Sequence, residues 1–549
     1  VTESFRVRGD AFFVRTATGA TVYHGTGSFS VAHQHAHDLL SALARLLDGT
    51  RSVDSVLAAL PEPVRPAAGV LLDSLRRNGF LVAAGSPVGP RPAWMVEKFA
   101  DHLDYLAQFP GDPYSRLVAV RVVPAAVVGS GPLLRAAAGA LADHAFARVR
   151  LVTDDRDAVA PVLAAVAERD PEAEWTVATD PGDARVILHA GTYPDSVGLV
   201  GVLHARADRI VGAVLDGDEW CWECAVRTLG AEGPSSSAVP APAACLAAFQ
   251  VAHRLYRRLA CPDETPDRTA VTVDPDTLTS SRHTLWRHPD CSHHPGLTIA
   301  DLGRDEDETQ VRPDVVPRES IPNAEAVRIT AAVRSWTDPV AGPLLAVGED
   351  DLPQLPLATS RCRTALGEVV RSGPWAREAR VQAVLGALAV QGARLLGADG
   401  HVGAGWSVAE ARYRARVALS AELTPDPVRT WGLVDGGRTP LTAFLLATLG
   451  ADGVEAAAVR LPTGLWHAKV RTDRVLASGI GISASHAEDN ALLAAVTSNP
   501  VHLAPPVKTW TEALCANRSD LALSESDLTG AVPFVGTAAA VVAIRPEPR

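Results

Sequence analysis

Apolar and polar residues alternate over the first thirty positions, and then the period changes. Phe5-Arg6-Val7-Arg8, Ala11-Phe12-Phe13-Val14-Arg15 and Thr21-Val22-Tyr23-His24 read as three short strands. Gly9-Asp10 and Thr18-Gly19 mark hairpin turns between them. From Ala36 the spacing is helical: Leu39, Leu40, Leu43, Leu46 and Leu47 recur until Asp48-Gly49-Thr50 ends the run. Ser52 is placed to cap a second, short helix carrying Val53, Val56 and Leu57. A third helix, Val64 to Asn78, is expected to bury Val70, Leu71, Leu72 and Leu75 before Gly79 stops it. Three strands followed by three helices predict a small winged-helix domain over residues 1–88.

Residues 89–115, rich in proline and glycine, read as a linker with one short helix. Beyond them the order becomes strand, glycine turn, helix, strand. The apolar pair Val127-Val128 runs directly into Gly129-Ser130-Gly131, and Asp154 and Asp155 follow the second strand, as in a nucleotide-binding βαβ unit. Pro132 removes a backbone donor from that turn, which argues for a nucleotide-free scaffold. Residues 301–325 are acidic and proline-bearing and read as a second linker. The last stretch, 326–549, mixes strands with alanine-rich helices. The whole is expected to be an α/β multidomain protein.

Composition narrows the partners. At 549 residues the chain exceeds a single core, so two to four domains, as a rough prior, are expected. A formal net charge of -12 argues against a nucleic-acid backbone or an anionic membrane as the main partner. No apolar run reaches the length of a membrane span, and no signal-like segment opens the sequence. Seven cysteines show no disulfide framework, so a cytoplasmic location is expected.

Three of those cysteines suggest chemistry. Cys221 and Cys224 have CxxC spacing, and Cys291 and His294 repeat the same three-residue step. Three sulfurs and one imidazole make a closed tetrahedral set for a structural Zn²⁺. His293 and His288 stand close enough to replace His294 as the fourth ligand. Two unrelated turns or a redox CxxC are the competing readings.

Three resemblances follow from these stretches. Residues 1–85, with "LDGTRSVDSVL" and "LRRNGFL", resemble the PqqD-like recognition element of ribosomal-peptide modification systems. The resemblance implies that a leader peptide adds a strand to the wing and packs on the third helix, at Thr21, Val22, Tyr23, His24, Leu72, Leu75 and Arg76. Residues 116–300 look like the ThiF/MoeB activating-type fold, whose two knuckles bind zinc; the glycine loop is shortened, and no Arg, Lys and Asp set matches the family's adenylation residues. Residues 326–549 look like a YcaO domain. There the family's ExxE carboxylates, which hold Mg²⁺ against ATP, fall on Gly386 and Ala389. Glu410, Glu422, Glu488 and Asn490 could supply ligands, but without that first pair they are read as surface residues, and ATP is not expected to bind. In combination the chain resembles the Ocin-ThiF-like (F protein) family, the leader-binding partners of azole-forming cyclodehydratases. That resemblance implies a precursor peptide and a separate YcaO cyclodehydratase as partners, with a homodimer compatible. The alternatives are a self-sufficient cyclodehydratase or a ThiF-type adenylating enzyme.

Overall fold

The computed structural model describes residues 4–25, 27–84, 91–192, 198–216, 221–230, 233–236, 238–264, 268–288, 291, 300–301, 323–396, 400–423, 430–436, 439–450, 453–473, 475–497, 521–529, 532, 534–536 and 538–546. The chain divides into two compact units, Val1–Trp222 with Ala231–Arg282, and Glu223–Gly230 with His283–Arg549.

The first unit opens with β1 (Ser4–Val7), β2 (Phe12–Thr16), β3 (Gly19–His24) and β4 (Gly27–Val31). After them come α1 (Ala36–Leu46), β5 (Asp48–Ser52), α2 (Val53–Ala58), α3 (Arg65–Arg77) and β6 (Leu81–Ala83). The Thr18-Gly19 turn forms as expected, pairing Thr16 with Gly19 and Phe12 with Tyr23. The Gly9-Asp10 hairpin does not form. β1 instead lies between β5 and β6 in its own sheet, because Asp48–Ser52, whose Asp48-Gly49-Thr50 reads as a helix-ending turn, extends and pairs with it. Ser52 caps α2 as anticipated, its hydroxyl accepting from the Ser55 N–H at 3.2 Å. On α3 the buried face is Ala68, Leu71, Leu72 and Leu75. Val70 falls off that stripe and is 65 % exposed, contrary to the expectation from its neighbours.

Residues 89–115 are not a plain linker. They contain α4 (Ala93–Lys98), α5 (Ala100–Leu106) and the start of α6 (Pro113–Arg121). Met95, Phe99, Leu106 and Tyr114 sit in the unit's main core. Arg6 ties this segment to β1, its guanidinium donating to the carbonyls of Ala107, Phe109 and Gly111 at 2.7–3.1 Å. Arg121 forks onto Asp170 at 2.6 and 3.0 Å, both side chains buried.

The main sheet is built from β7 (Ala125–Gly129), α7 (Gly131–Asp143), β8 (Arg148–Val152), α8 (Arg156–Arg169), β9 (Glu174–Ala178) and β10 (Val186–Ala190). It continues with β11 (Leu199–Ala205), β12 (Ile210–Leu215), α9 (Trp222–Leu229), α10 (Ala241–Ala260), β13 (Thr269–Val273) and β14 (Ser280–Thr284). Its order is β14-β13-β12-β11-β10-β7-β8-β9. The five strands from β11 to β9 run parallel, while β11–β12 and β12–β13 pair antiparallel. The central strands β7, β10, β11 and β12 are mostly apolar and buried, as strands covered on both faces are, whereas β8, β9 and β14 carry polar residues. Gly129 ends β7 with φ 153°, and a Cβ there would lie 2.1 Å from the Ala190 carbonyl oxygen.

The second unit contains β15 (Ala300–Asp301), α11 (Asn323–Trp336), β16 (Ala346–Gly348), β17 (Ala358–Thr364), β18 (Gly367–Gly373) and α12 (Ala376–Leu396). Then come β19 (His401–Gly405), α13 (Val408–Glu422), β20 (Gly432–Leu433), α14 (Pro440–Leu449), β21 (Glu455–Arg460) and β22 (Trp466–Arg471). β23 (Leu476–Gly481), α15 (Ala484–Thr497), β24 (Leu523–Asp527) and β25 (Ala540–Pro546) close the chain. Three small sheets result: β15-β24-β25-β19, β16-β17-β18 and β20-β21-β22-β23. Most of the acidic linker, 302–322, lies outside the described residues.

Two strand–helix pairs in this unit repeat one device. A Cβ on Gly403 would lie 2.2 Å from the Ala415 nitrogen, and one on Gly479 2.3 Å from the Ala491 nitrogen. Gly405 and Gly481 approach Ala411 and Ala487 in the same way. Ser407 and Ser483 then accept from the N–H groups of Glu410 and His486. Bare strands let alanine-faced helices pack backbone against backbone.

Candidate functional site

Cys221, Cys224 and Cys291 come together: their sulfur atoms all lie within 4.8 Å of one another. Cys224 and Cys291 are buried and Cys221 is half-buried. The first knuckle is not only a turn, since Trp222 begins α9 and Cys224 sits in its first turn. The second knuckle is closed by the Cys291 N–H bonding the His288 carbonyl at 3.0 Å. The His288 N–H donates to Cys224 Sγ at 3.2 Å. A backbone donor aimed at sulfur favours the thiolate that a metal needs. Two thiolates bound to one zinc at about 2.3 Å each stand roughly 3.8 Å apart, a spacing compatible with three sulfurs within 4.8 Å of one another. Glu223 lies beside them, its Oε2 3.5 Å from Cys291 Sγ and its Oε1 taking two hydrogen bonds from Arg227. His294 and His293 lie outside the described residues. The cluster is therefore a possible metal-binding site with three assigned sulfurs.

The residues expected to face a peptide are distributed differently from the expectation. Thr21, Val22, Tyr23 and His24 lie on β3, which is the middle strand of the order β2-β3-β4. It is not an edge. A fourth strand, Gly27–Val31, had no clear alternation to announce it, and it occupies the side of β3 assumed free. Val22 and Leu75 are 0 % exposed, and Leu72 is buried with them in the domain's core. Of the seven residues, Tyr23 and Arg76 are exposed, and the Arg76 guanidinium also lies 5.2 Å above the Phe5 ring. Among the described residues the edges are β2 and β4. β4 lies at the end of α3, with Phe29 packed edge-on against Phe80 at 5.2 Å. On the sheet's outer face Phe12 and Tyr23 stand opposite each other, 67 % and 46 % exposed.

The glycine turn after β7 leads directly into α7, which begins at Gly131. Asp155 caps α8, accepting from the Ala158 N–H at 3.0 Å. That role accounts for one of the two aspartates that suggested nucleotide binding.

Gly386 and Ala389 both line a cavity of about 150 Å³ in the second unit, with Arg371, Gln382, Tyr413 and Arg414. Glu410 is not a surface residue. It is buried, its Oε2 accepts from the Trp406 N–H at 2.9 Å, and its Oε1 takes Arg414 Nε and Nη2 at 2.9 and 2.8 Å. Asn490 is also buried and donates to the Ile480 carbonyl at 2.7 Å. Glu422 is exposed and Glu488 intermediate. Among the described residues no membrane-length apolar helix occurs.

No family profile and no curated protein matches this chain. Among solved structures, the chain is similar over 100 % of its length, and 95 % of the other's, to a heterocyclase in complex with substrate and cofactor, with 13 % identity and a TM-score of 0.53. It is also similar to E. coli MccB with ATP, at 12 % identity and a TM-score of 0.40, covering 52 % of this chain and 98 % of that one. At such identities the likeness to the heterocyclase is one of fold.

Proposed function

We propose that the chain binds the leader of a ribosomally made precursor peptide and holds its core for a separate YcaO cyclodehydratase. The reading takes residues 1–88 as a winged-helix recognition domain, 116–300 as a zinc-bearing ThiF/MoeB-type scaffold and 326–549 as an ATP-free YcaO-like domain. The observation that carries it is the β2-β3-β4 sheet, in which β4, among the described residues, pairs only with β3 and packs Phe29 against Phe80 just after α3. An edge strand offers main-chain donors and acceptors to an extended peptide, and adjacent side chains read alternate residues. The grip is assigned to β4 rather than β3, with Ser28 and Ser30 leaving the approach uncrowded. β2 is the less suitable edge, because Arg15 on it is bound to Asp38 of α1.

Two further facts support the reading. The heterocyclase that shares this fold is bound to a substrate, which supports the binding half of the reading. Among the described residues that line the cavity at Gly386 and Ala389 no carboxylate stands to hold Mg²⁺, which supports assigning the energy-consuming step to the partner. Holding the core peptide near that partner raises its effective concentration there.

The test pairs two assays on the purified full chain. Fluorescence polarisation with a labelled leader is expected to show binding that Ser28→Pro weakens and Val14→Pro does not, each variant checked for folding by circular dichroism. One main-chain hydrogen bond is worth about 1 kcal/mol, so the loss should be about fivefold or more. Phosphate release with peptide and ATP is expected only after a YcaO protein is added. ATP turnover by this chain alone, or equal leader affinity in the β4 variant, overturns the reading.

A further inference from the structure

The cavity at Gly386 and Ala389 lies where β18, β19, α12 and α13 meet. Its walls are mostly small and apolar, yet two guanidiniums face it. They are not equivalent. Arg414 carries its own counter-charge in Glu410, and its Nη1 donates to Gln382 Oε1 at 2.6 Å. Arg371 has one hydrogen bond, from Nη1 to the carbonyl of the adjacent Val370 at 2.9 Å. Among the described residues no carboxylate pairs with it. A methyl group on Gly386 would stand 3.5 Å from Arg371 Nη2 and 3.6 Å from its Nε, so the guanidinium lies along the bare face of α12.

The neighbouring charges do not neutralise Arg371. Glu378 is pushed above the usual carboxylate range by burial, and its Oε1 accepts from Gln382 Nε2 at 2.6 Å. Arg371 itself is held below the ordinary guanidinium range by burial and then by repulsion from Arg414. With Glu410 cancelling Arg414, one positive charge is left over among apolar walls. An unpaired cation out of water is costly, and a planar fork of N–H donors is matched by a tetrahedral or planar oxyanion.

We propose that this cavity is a metal-free site for an oxyanion of the phosphate class, with Arg371 as its main contact and Arg414 as the second cation. The missing carboxylates at positions 386 and 389 are then not merely a loss. They leave a place in which fixed guanidiniums, and no divalent ion, meet the anion. The site is independent of the leader grip on β4.

The full chain is titrated with inorganic phosphate in low-salt buffer without added divalent metal, read by thermal unfolding and calorimetry. A saturable rise in unfolding temperature is expected, which chloride at matched ionic strength does not reproduce. Arg371→Met should abolish the response while leaving the phosphate-free unfolding temperature unchanged or higher, because it removes an uncompensated charge. Ala389→Glu, which places a carboxylate in the cavity wall, should do the same. Arg371→Lys keeps the charge without the fork and should bind about tenfold more weakly. AMP is titrated in parallel: tighter binding than phosphate assigns the anion to a nucleotide, and equal binding assigns it to the free ion. No saturable response in the wild type, or an undiminished one in folded Arg371→Met, overturns the proposal. No peptide enters this test, so its failure is separate from failure of the leader-binding reading.

Discussion

His144, at the C-terminal end of α7, allows an acid-stability effect to be worked from the structure. Its ring packs against His102 of α5 and His253 of α10, with centroids 6.5 and 5.6 Å away, and against Phe249 and Tyr256. Nδ1 lies 2.7 Å from the Ala140 carbonyl oxygen, a contact that asks for an N–H on that nitrogen. Burial, more than the repulsion from His253 and His102, lowers its pKa to about 4; the Ala140 bond and Asp143 oppose the shift. His102 and His253 are lowered as well, again chiefly by burial. In the unfolded chain the imidazole titrates at about 6.5. The unfolded state therefore takes up the proton first. Stability is fully present above about pH 6.5 and is lost as pH falls toward about 4. Between those limits His144 alone removes about 3 kcal/mol, of which about 2.5 is gone by pH 4.5. His144→Gln keeps an amide donor for Ala140 without a titrating group. Urea unfolding of both proteins at pH 7.5, 6.0, 5.0 and 4.5 is the assay. The variant should lose about 2.5 kcal/mol less than the wild type over that range. Parallel curves for the two proteins would show that the ring is solvated or already charged, and would refute the argument.

Other outcomes follow from particular contacts. Leu75→Asp or Val22→Asp should disrupt the core cluster of residues 5–80, since each buries an unpaired carboxylate there; unchanged near-ultraviolet circular dichroism would contradict the packing described. Asp170→Asn leaves Arg121 buried without its counter-ion and should cost about 3–5 kcal/mol in chemical denaturation. Metal analysis of the purified chain is expected to find about one zinc, which Cys224→Ser should abolish together with several degrees of unfolding temperature. Zinc-free protein with unchanged unfolding would remove the metal from the account. Gly129→Ala should destabilise the first unit, because its Cβ has no room beside Ala190.

Local signals were readable where chemistry and geometry act over a few residues. The CxxC spacing announced a sulfur cluster, and Val127-Val128 followed by Gly129-Ser130-Gly131 announced a parallel βαβ unit; both are present. The alanine-rich helices expected somewhere in 326–549 are present at 376–396, 408–422 and 484–497. What the residues could not declare was partnership. Thr21–His24 alternates like any half-buried strand, and alternation says which face is wet but not how many neighbours a strand has. The pairing of Gly27–Val31 alone decided that β3 is central and β4 is an edge. Glu410 looks like a solvated helix residue until the Trp406 N–H and Arg414 are brought to it by packing that bare glycines permit. Short-range spacing thus indicated the βαβ unit, several of the helices and the meeting of three cysteines. Which edges stay open, and which arginine is left without a counter-charge, depend on segments distant in sequence meeting in space, and only the tertiary structure decided them.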